Sequence, residues 1–289
     1  MSALTIGMPE LDYHASLGLS STGIKWLLRS PKHYRQNMDH RVEKAAFDLG
    51  HCVHAKVLGV GMQVVTIPAD LLASNGAAST AAAKDWIAHA RLAGEVPVKA
   101  DVVAKVDAIA EAVLANPKAH ALLSLDGDAE VSLFADDPET GVHLRGRVDW
   151  LATMADGSLV NVDLKTTTDV RRHKLTRAIE DFGYDTQSEV YRHLMRLTSG
   201  AGDADDIAPT RLIFVETERP HEVRVVQLAH PDWIAGGLHK MRKAIDIYAQ
   251  CIATDTWPGD DDGPGEVEPI EPRPYYMSDM DLEEMEISL

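Results

Sequence analysis

The stretch RGRVDWLATMADGSLVNVDLKTTTD, Arg145 to Asp169, contains parts of two β-rich runs joined by the turn pair Asp156-Gly157. The first run is Val142–Met154 and the second Leu159–Lys165, and a third, Glu130–Ala135, precedes them behind the turn residues Asp136-Asp137-Pro138. Together they predict a three-strand antiparallel meander. Asp149 lies in its second strand, with Asp163 and Lys165 near the end of the third. Residues two apart in a strand share a face, so Asp163 and Lys165 point the same way, and the tight turn brings Asp149 beside them. Two carboxylates and a lysine make poor core material, because a buried unpaired charge is very costly. A hard divalent cation resolves that conflict. Oxygen ligands suit Mg²⁺ or Mn²⁺, and a lysine beside the metal can orient or deprotonate an attacking water. Taken alone, Asp163 and Lys165 would also fit an edge-strand salt bridge worth about 1 kcal/mol at most.

Upstream, Ser20 or Ser21 followed by TGIKWLLRS predicts a capped short helix that stops at Ser30-Pro31. Residues 43–58 repeat apolar side chains at Ala46, Leu49, Val53 and Val57, which is helical spacing. VVTIP, 64–68, reads as a short strand, and alanine-rich stretches at about 78–93 and 99–115 read as two helices. Downstream, TQSEVYRHLMRLT (186–198) reads as an amphipathic helix, Arg211–Glu216 and Glu222–Leu228 as strands, and 231–252 as a closing helix opened by Pro231-Asp232. That order predicts a mixed α/β core in one domain over 1–254, with a helical part at about 15–125 and a sheet part at about 128–252. Residues 255–289, acidic and proline-rich, read as a linker or tail.

The formal charge is −17. The last 35 residues hold twelve acidic side chains and one basic, Arg273, which is −11, so the preceding 254 carry −17 + 11 = −6. A local groove can still be positive on an acidic protein. Lys25, Arg29, Lys32 and Arg35, the pair Arg145 and Arg147, and Arg171, Arg172, Lys174 and Arg177 are the candidate basic surface. No apolar run approaches the ~20 residues of a membrane helix. The N-terminal MSALTIGMPELDYH lacks the pattern of a signal peptide. Two cysteines, Cys52 and Cys251, cannot staple a secreted scaffold or hold a four-cysteine iron–sulfur cluster, so a reducing cytoplasm is expected. No phosphate-cradling glycine loop followed by Lys-Ser or Lys-Thr is present, so ATP-driven activity is not expected.

Asp149 followed by Asp163-Leu164-Lys165 resembles the PD-(D/E)xK nuclease superfamily, whose core is the restriction-endonuclease-like mixed sheet flanked by helices. SSTGIKWLLRSPKHYR followed by FDLGHCVHAKVLG resembles the N-terminal signature of RecB- and RecE-type exonucleases, and Gly183-Tyr184…Gln187…Tyr191 resembles their Q-x-x-x-Y helix, with Gln187 and Tyr191 on one face. The resemblance runs from about Ser20 to about Gln227. It implies a metal held by Asp149, Asp163, the Leu164 carbonyl and His54, with Glu130 as a further acid nearby and Lys165, Gln187 and Tyr191 in the catalytic set. Arg147, Arg145 and Lys25 would contact DNA phosphates. It further implies 5′-to-3′ resection of duplex DNA ends in phage-type recombination, a ring-shaped homo-oligomer and a single-strand annealing protein as partner. Two other readings fit the same residues: a Cas4-like or RecB-like nuclease of other polarity without the cluster, and a non-catalytic DNA-binding module that kept the fold. His54 alone would also fit a packed helix histidine, Tyr191 core packing, and Glu130 a solvated strand end.

Overall fold

The computed structural model describes residues 2–39, 49–61, 63–200, 206–262, 267 and 269–271. The meander expected from the sequence is present as β4 (Gly127–Asp136), β5 (His143–Thr153) and β6 (Leu159–Thr167). A short edge strand β1 (Ala3–Thr5) pairs with β4, and β7 (Arg211–Glu216) and β8 (Val223–Gln227) extend the other side, giving the order β1-β4-β5-β6-β7-β8. Every neighbouring pair in this sheet is antiparallel except β6–β7, which is parallel. A parallel neighbour needs a crossover, and here it consists of α8 (Arg172–Phe182) and α9 (Tyr184–Ser199). The fold is a mixed α/β sheet between helical layers.

The two faces of the sheet have different covers. Over one lie α2 (Ser21–Arg29), α9 and α10 (Pro231–Thr254), with Leu19, Ile24, Val131, Leu133, Leu144, Val148, Leu194 and Ile245 closing a buried core. Over the other lie α4 (Leu49–Leu58) and α6 (Ala100–Ala115), with Val53, Ile109, Val160, Val162, Leu164 and Ile213. Ser20 caps α2 by accepting from the Gly23 amide, as its position suggested. The alanine-rich stretches form α5 (Ala81–Leu92) and α6, and VVT forms β2 (Val64–Thr66), which pairs in parallel with β3 (Val96–Val98) in a separate small sheet.

Several elements carry too little pattern to be read from sequence. Pro31 does end α2, but it also opens the next helix, α3 (Pro31–Asp39), at the first helical turn where its missing N–H costs nothing. α1 (Glu10–Ala15) and α7 (Pro117–Leu123) are short. α8 exposes most of its length and buries only Leu175 and Ile179. The first residues of the helix expected at 43–58 lie outside the described residues. Residues 257–262, read as the start of the tail, are held against α3. The Trp257 ring stacks on Tyr34 at 5.5 Å, the Lys32 amide donates to the Pro258 carbonyl at 3.0 Å, and the Lys32 ammonium pairs with Asp262 at 3.0 Å. Among the described residues no helix is long and apolar enough to cross a membrane.

Candidate active site

The sheet opens from one row onward. In the β4–β5 ladder Ala129 pairs with Trp150 and Val131 with Val148, which sets Glu130 opposite Asp149, yet that pair is not made. In the β5–β6 ladder pairing ends at Trp150–Val162, one step before Asp149 would meet Asp163. Three carboxylates therefore occupy one row across three adjacent strands, and their mutual repulsion accompanies the lost pairing. The backbone records the break. Glu130 has φ +52, left-handed space that a side-chain-bearing residue adopts at a cost of order 1–3 kcal/mol. Val148 and Leu151 pack in one core and Trp150 and Ala152 in the other, so the in–out alternation of β5 changes phase at Asp149. Asp163 and Lys165 share a face as expected, whereas Asp149 is set apart from them, turned to His54 and the Leu164 amide across a slit in the sheet.

One side of the slit gathers ligand atoms. His54 on α4 puts Nδ1 3.2 Å from Asp149 Oδ2, and single ligand atoms of His54, Glu130 and Asp149 all lie within 4.8 Å of one another. Asp149 Oδ2 also accepts the Leu164 amide at 2.9 Å. An extended residue presents N–H and C=O to the same edge, so the Leu164 carbonyl faces the same gap. Arg147 Nε pairs with Glu130 Oε2 at 2.7 Å. Burial raises the Glu130 pKa, helped by the Asp149 charge and opposed by Arg147. A cleft of about 870 Å³ opens here, lined among others by His54, Glu130, Arg147, Asp149, Gln187 and Tyr191.

The other side holds the buried pair. Asp163 is 2% exposed and alternates with Val162 and Leu164, so it points toward α9. Its Oδ2 meets the Lys165 ammonium at 2.6 Å, while Oδ1 has no hydrogen-bond donor among the described residues. Burial raises the Asp163 pKa, and the Asp149 charge adds to that, against the pull of Lys165. Burial works against the Lys165 ammonium, but the Asp163 and Asp149 charges outweigh it and hold the pKa above the usual lysine value. The Lys165 ammonium also stands 4.9 Å from the ring centroid of Tyr184. Tyr184 is the first residue of α9, and the sequence marks it only by its place in the Gly183-Tyr184…Gln187…Tyr191 motif.

Gln187 Nε2 donates to the Tyr191 hydroxyl at 3.0 Å, so the two meet as the i, i+4 spacing predicts. Tyr191 sits close on the sheet because β5 has Gly146 beneath it: a Cβ there would lie 2.8 Å from Leu194 Cδ1 and 3.0 Å from the Tyr191 ring. The expected phosphate role of Arg145 is corrected. Its side chain is buried, and Nη1 donates to the Tyr13 and Ser16 carbonyls at 2.6 Å each, anchoring the N-terminal segment. Arg147 donates to the Met8 carbonyl and still reaches the cleft. Lys25 stands 5.7 Å from the Tyr184 centroid and is not among the residues that line the cleft.

The donor set fits a divalent cation. It offers an imidazole nitrogen and carboxylates grouped where two ladders break off, and beside it lies a buried carboxylate oxygen, Asp163 Oδ1, with no donor among the described residues. The strand order and this acid–acid–lysine arrangement define the PD-(D/E)xK class of fold. The family described as PDDEXK-like domain of unknown function (DUF3799) matches residues 20–268, and the chain belongs to it. Among solved structures, a protein from Eubacterium rectale named as a candidate exonuclease aligns with TM-score 0.56 and 12% identity, over 96% of this chain and 98% of that one. A second, SSO0001, aligns with TM-score 0.35 and 11% identity over 82% of this chain and 81% of that one. No curated protein matches the sequence.

Proposed function

We propose that this protein is a metal-dependent exonuclease that hydrolyses phosphodiester bonds of linear double-stranded DNA. The observation that carries the reading is the group His54, Glu130 and Asp149 gathered beside the Asp163–Lys165 pair, at the row from which β5 and β6 part. His54, Asp149, Asp163 and the Leu164 carbonyl would hold a divalent cation, Mg²⁺ or Mn²⁺, with Glu130 as a further acid beside it. When bound, that ion supplies a Lewis acid for a phosphoryl oxygen and a more acidic water. Lys165, fixed by Asp163 and the Tyr184 ring, presents its ammonium to charge developing on the phosphate or orients the nucleophile. Arg147, already holding Glu130, offers the phosphate a guanidinium at the cleft wall. The Gln187–Tyr191 hydrogen bond keeps the amide and phenol directed into the cleft.

The finer reading is a RecE-like enzyme resecting duplex ends 5′-to-3′ in phage-type recombination, assembled as a homo-oligomeric ring with a single-strand annealing protein as partner. It is supported by the motif order and by the fold shared with the E. rectale protein. Cys52 and Cys251 are both buried, and a reducing cytoplasm is part of this reading. The test uses linear duplex labelled at the 5′ or the 3′ end, with Mg²⁺ or Mn²⁺, and a closed circular duplex as control. Release of the 5′ label first, with the circle intact, is the expected result. Attack on the circle would make the enzyme an endonuclease, and release of the 3′ label first would reverse the polarity. No metal-dependent cleavage of either would overturn the reading.

A further inference from the structure

Outside the cleft, Lys25 and Phe182 lie beside Tyr184, the ring that also fixes Lys165, and neither of the two takes part in the chemistry above. Tyr184 has two ammonium groups near its ring, Lys165 at 4.9 Å and Lys25 at 5.7 Å from the centroid. The carboxylates nearby are already engaged: Asp163 holds Lys165 at 2.6 Å and Asp185 holds Lys240 at 2.8 Å. Lys25 makes no ion pair with a carboxylate among the described residues. It is half-buried, its stem lies along Gly183, and it faces another cation. A partly desolvated ammonium beside a like charge is unfavourable until an anion joins it. Next to it Phe182 leaves 57% of its surface in solvent, with its ring 5.7 Å from that of Tyr184.

We propose that Phe182, Tyr184 and Lys25 form a subsite for one strand of the DNA substrate, beyond Lys165 and outside the cleft. Lys25 takes a backbone phosphate one step from the scissile one, and the exposed ring of Phe182 takes a base by stacking. An unpaired cation beside an exposed aromatic is the combination that single strands use, since every base has a π-face and every linkage a charge. The proposal rests on the nuclease reading for the identity of its ligand. Its test avoids turnover so that the two can fail separately.

The probe is a fluorescent 12-nucleotide single-stranded DNA, titrated against the full chain in EDTA from about 50 to 300 mM salt. Lys25→Met should flatten the slope of log K against log salt by about 0.7, the share of one phosphate on a single strand, while Lys25→Arg keeps it. Phe182→Ala should weaken binding about tenfold with the slope unchanged, and Phe182→Trp should restore affinity, with its indole emission quenched by the oligonucleotide. Wild-type affinity and slope in both Lys25→Met and Phe182→Ala would overturn the subsite, as would a wild-type protein that does not bind the oligonucleotide at all. Manganese binding, measured separately by calorimetry, should be unchanged in both variants. Its absence in the wild type would count against the nuclease reading, leaving the strand titration to decide the subsite.

Discussion

At the scale of single residues, the acids and the lysine of the slit should behave differently when removed. Asp149→Asn takes away a carboxylate that contacts His54 at 3.2 Å and is grouped with Glu130. Calorimetry should show manganese affinity falling at least tenfold and cleavage lost. Thermal stability should hold or rise, because like-charge repulsion in the row is relieved. Lys165→Met should keep manganese affinity within a few-fold while lowering turnover about a hundredfold or more, since an ammonium cannot ligate a cation but can stabilise developing charge. An unchanged cleavage rate in the first variant, or collapse of metal binding with intact turnover in the second, would reverse these roles. Arg145 marks the limit of reading residues from a strand. Its partners are backbone carbonyls of a segment far upstream, and carbonyls leave no trace in a sequence.

At the scale of elements, what could be read was what carries periodicity. The strands β4 to β8 are β-branched runs between turn residues, and α6, α9 and α10 are long amphipathic helices, so both kinds stood out. α8 did not, because only Leu175 and Ile179 face the core while basic and polar side chains fill the rest. The row Glu130, Asp149, Asp163 was partly legible: spacing placed two of the acids, whereas the left-handed turn at Glu130 and the phase change at Asp149 depend on how three strands meet. Element packing yields two tests. Gly146→Ala pushes a methyl into Leu194 and Tyr191 and should cost about 1–3 kcal/mol in urea unfolding, with activity reduced as Tyr191 shifts. Asp137, fully buried at the β4 end, accepts two guanidinium bonds from Arg242 at 2.9 Å and holds its carboxyl well below the usual aspartate range. A depressed pKa gives stability that is complete above the unfolded value of about 4 and lost as pH falls further. Arg242→Met should therefore cost about 3 kcal/mol at pH 7, and the gap to wild type should narrow in denaturation curves taken below pH 4. A gap independent of pH would point to packing alone.

For the whole molecule, the described start of the acidic C-terminal stretch, up to residue 262, lies against α3. Trp257 stacks on Tyr34 and lies under the Arg35 guanidinium at 5.6 Å, so this part is fastened to α3. Ending the chain after Asp262 should leave the melting temperature within about 2 °C and bring DNA closer at low salt, because most of the −11 is removed. Ending it before Trp257 should also cost about 2 kcal/mol, a partial loss of a buried aromatic. Melting curves and salt-dependent binding of the two truncations separate the roles. Equal melting temperatures would make the Trp257 contact dispensable.

The missing rungs between Glu130 and Asp149, and beyond Val162, leave a short tear in the fabric of the sheet. A tear weakens cloth at its ends, and the amides beside this one should open and close on their own, ahead of global unfolding. A divalent ion gripping both lips would act as a rivet. Hydrogen–deuterium exchange should then show residues 128–131 and 163–165 slowing on addition of manganese while the far edge at β8 keeps its rate. Equal rates with and without the ion would mean that the protein closes the tear unaided, through the Leu164 amide and the Asp149 carboxylate.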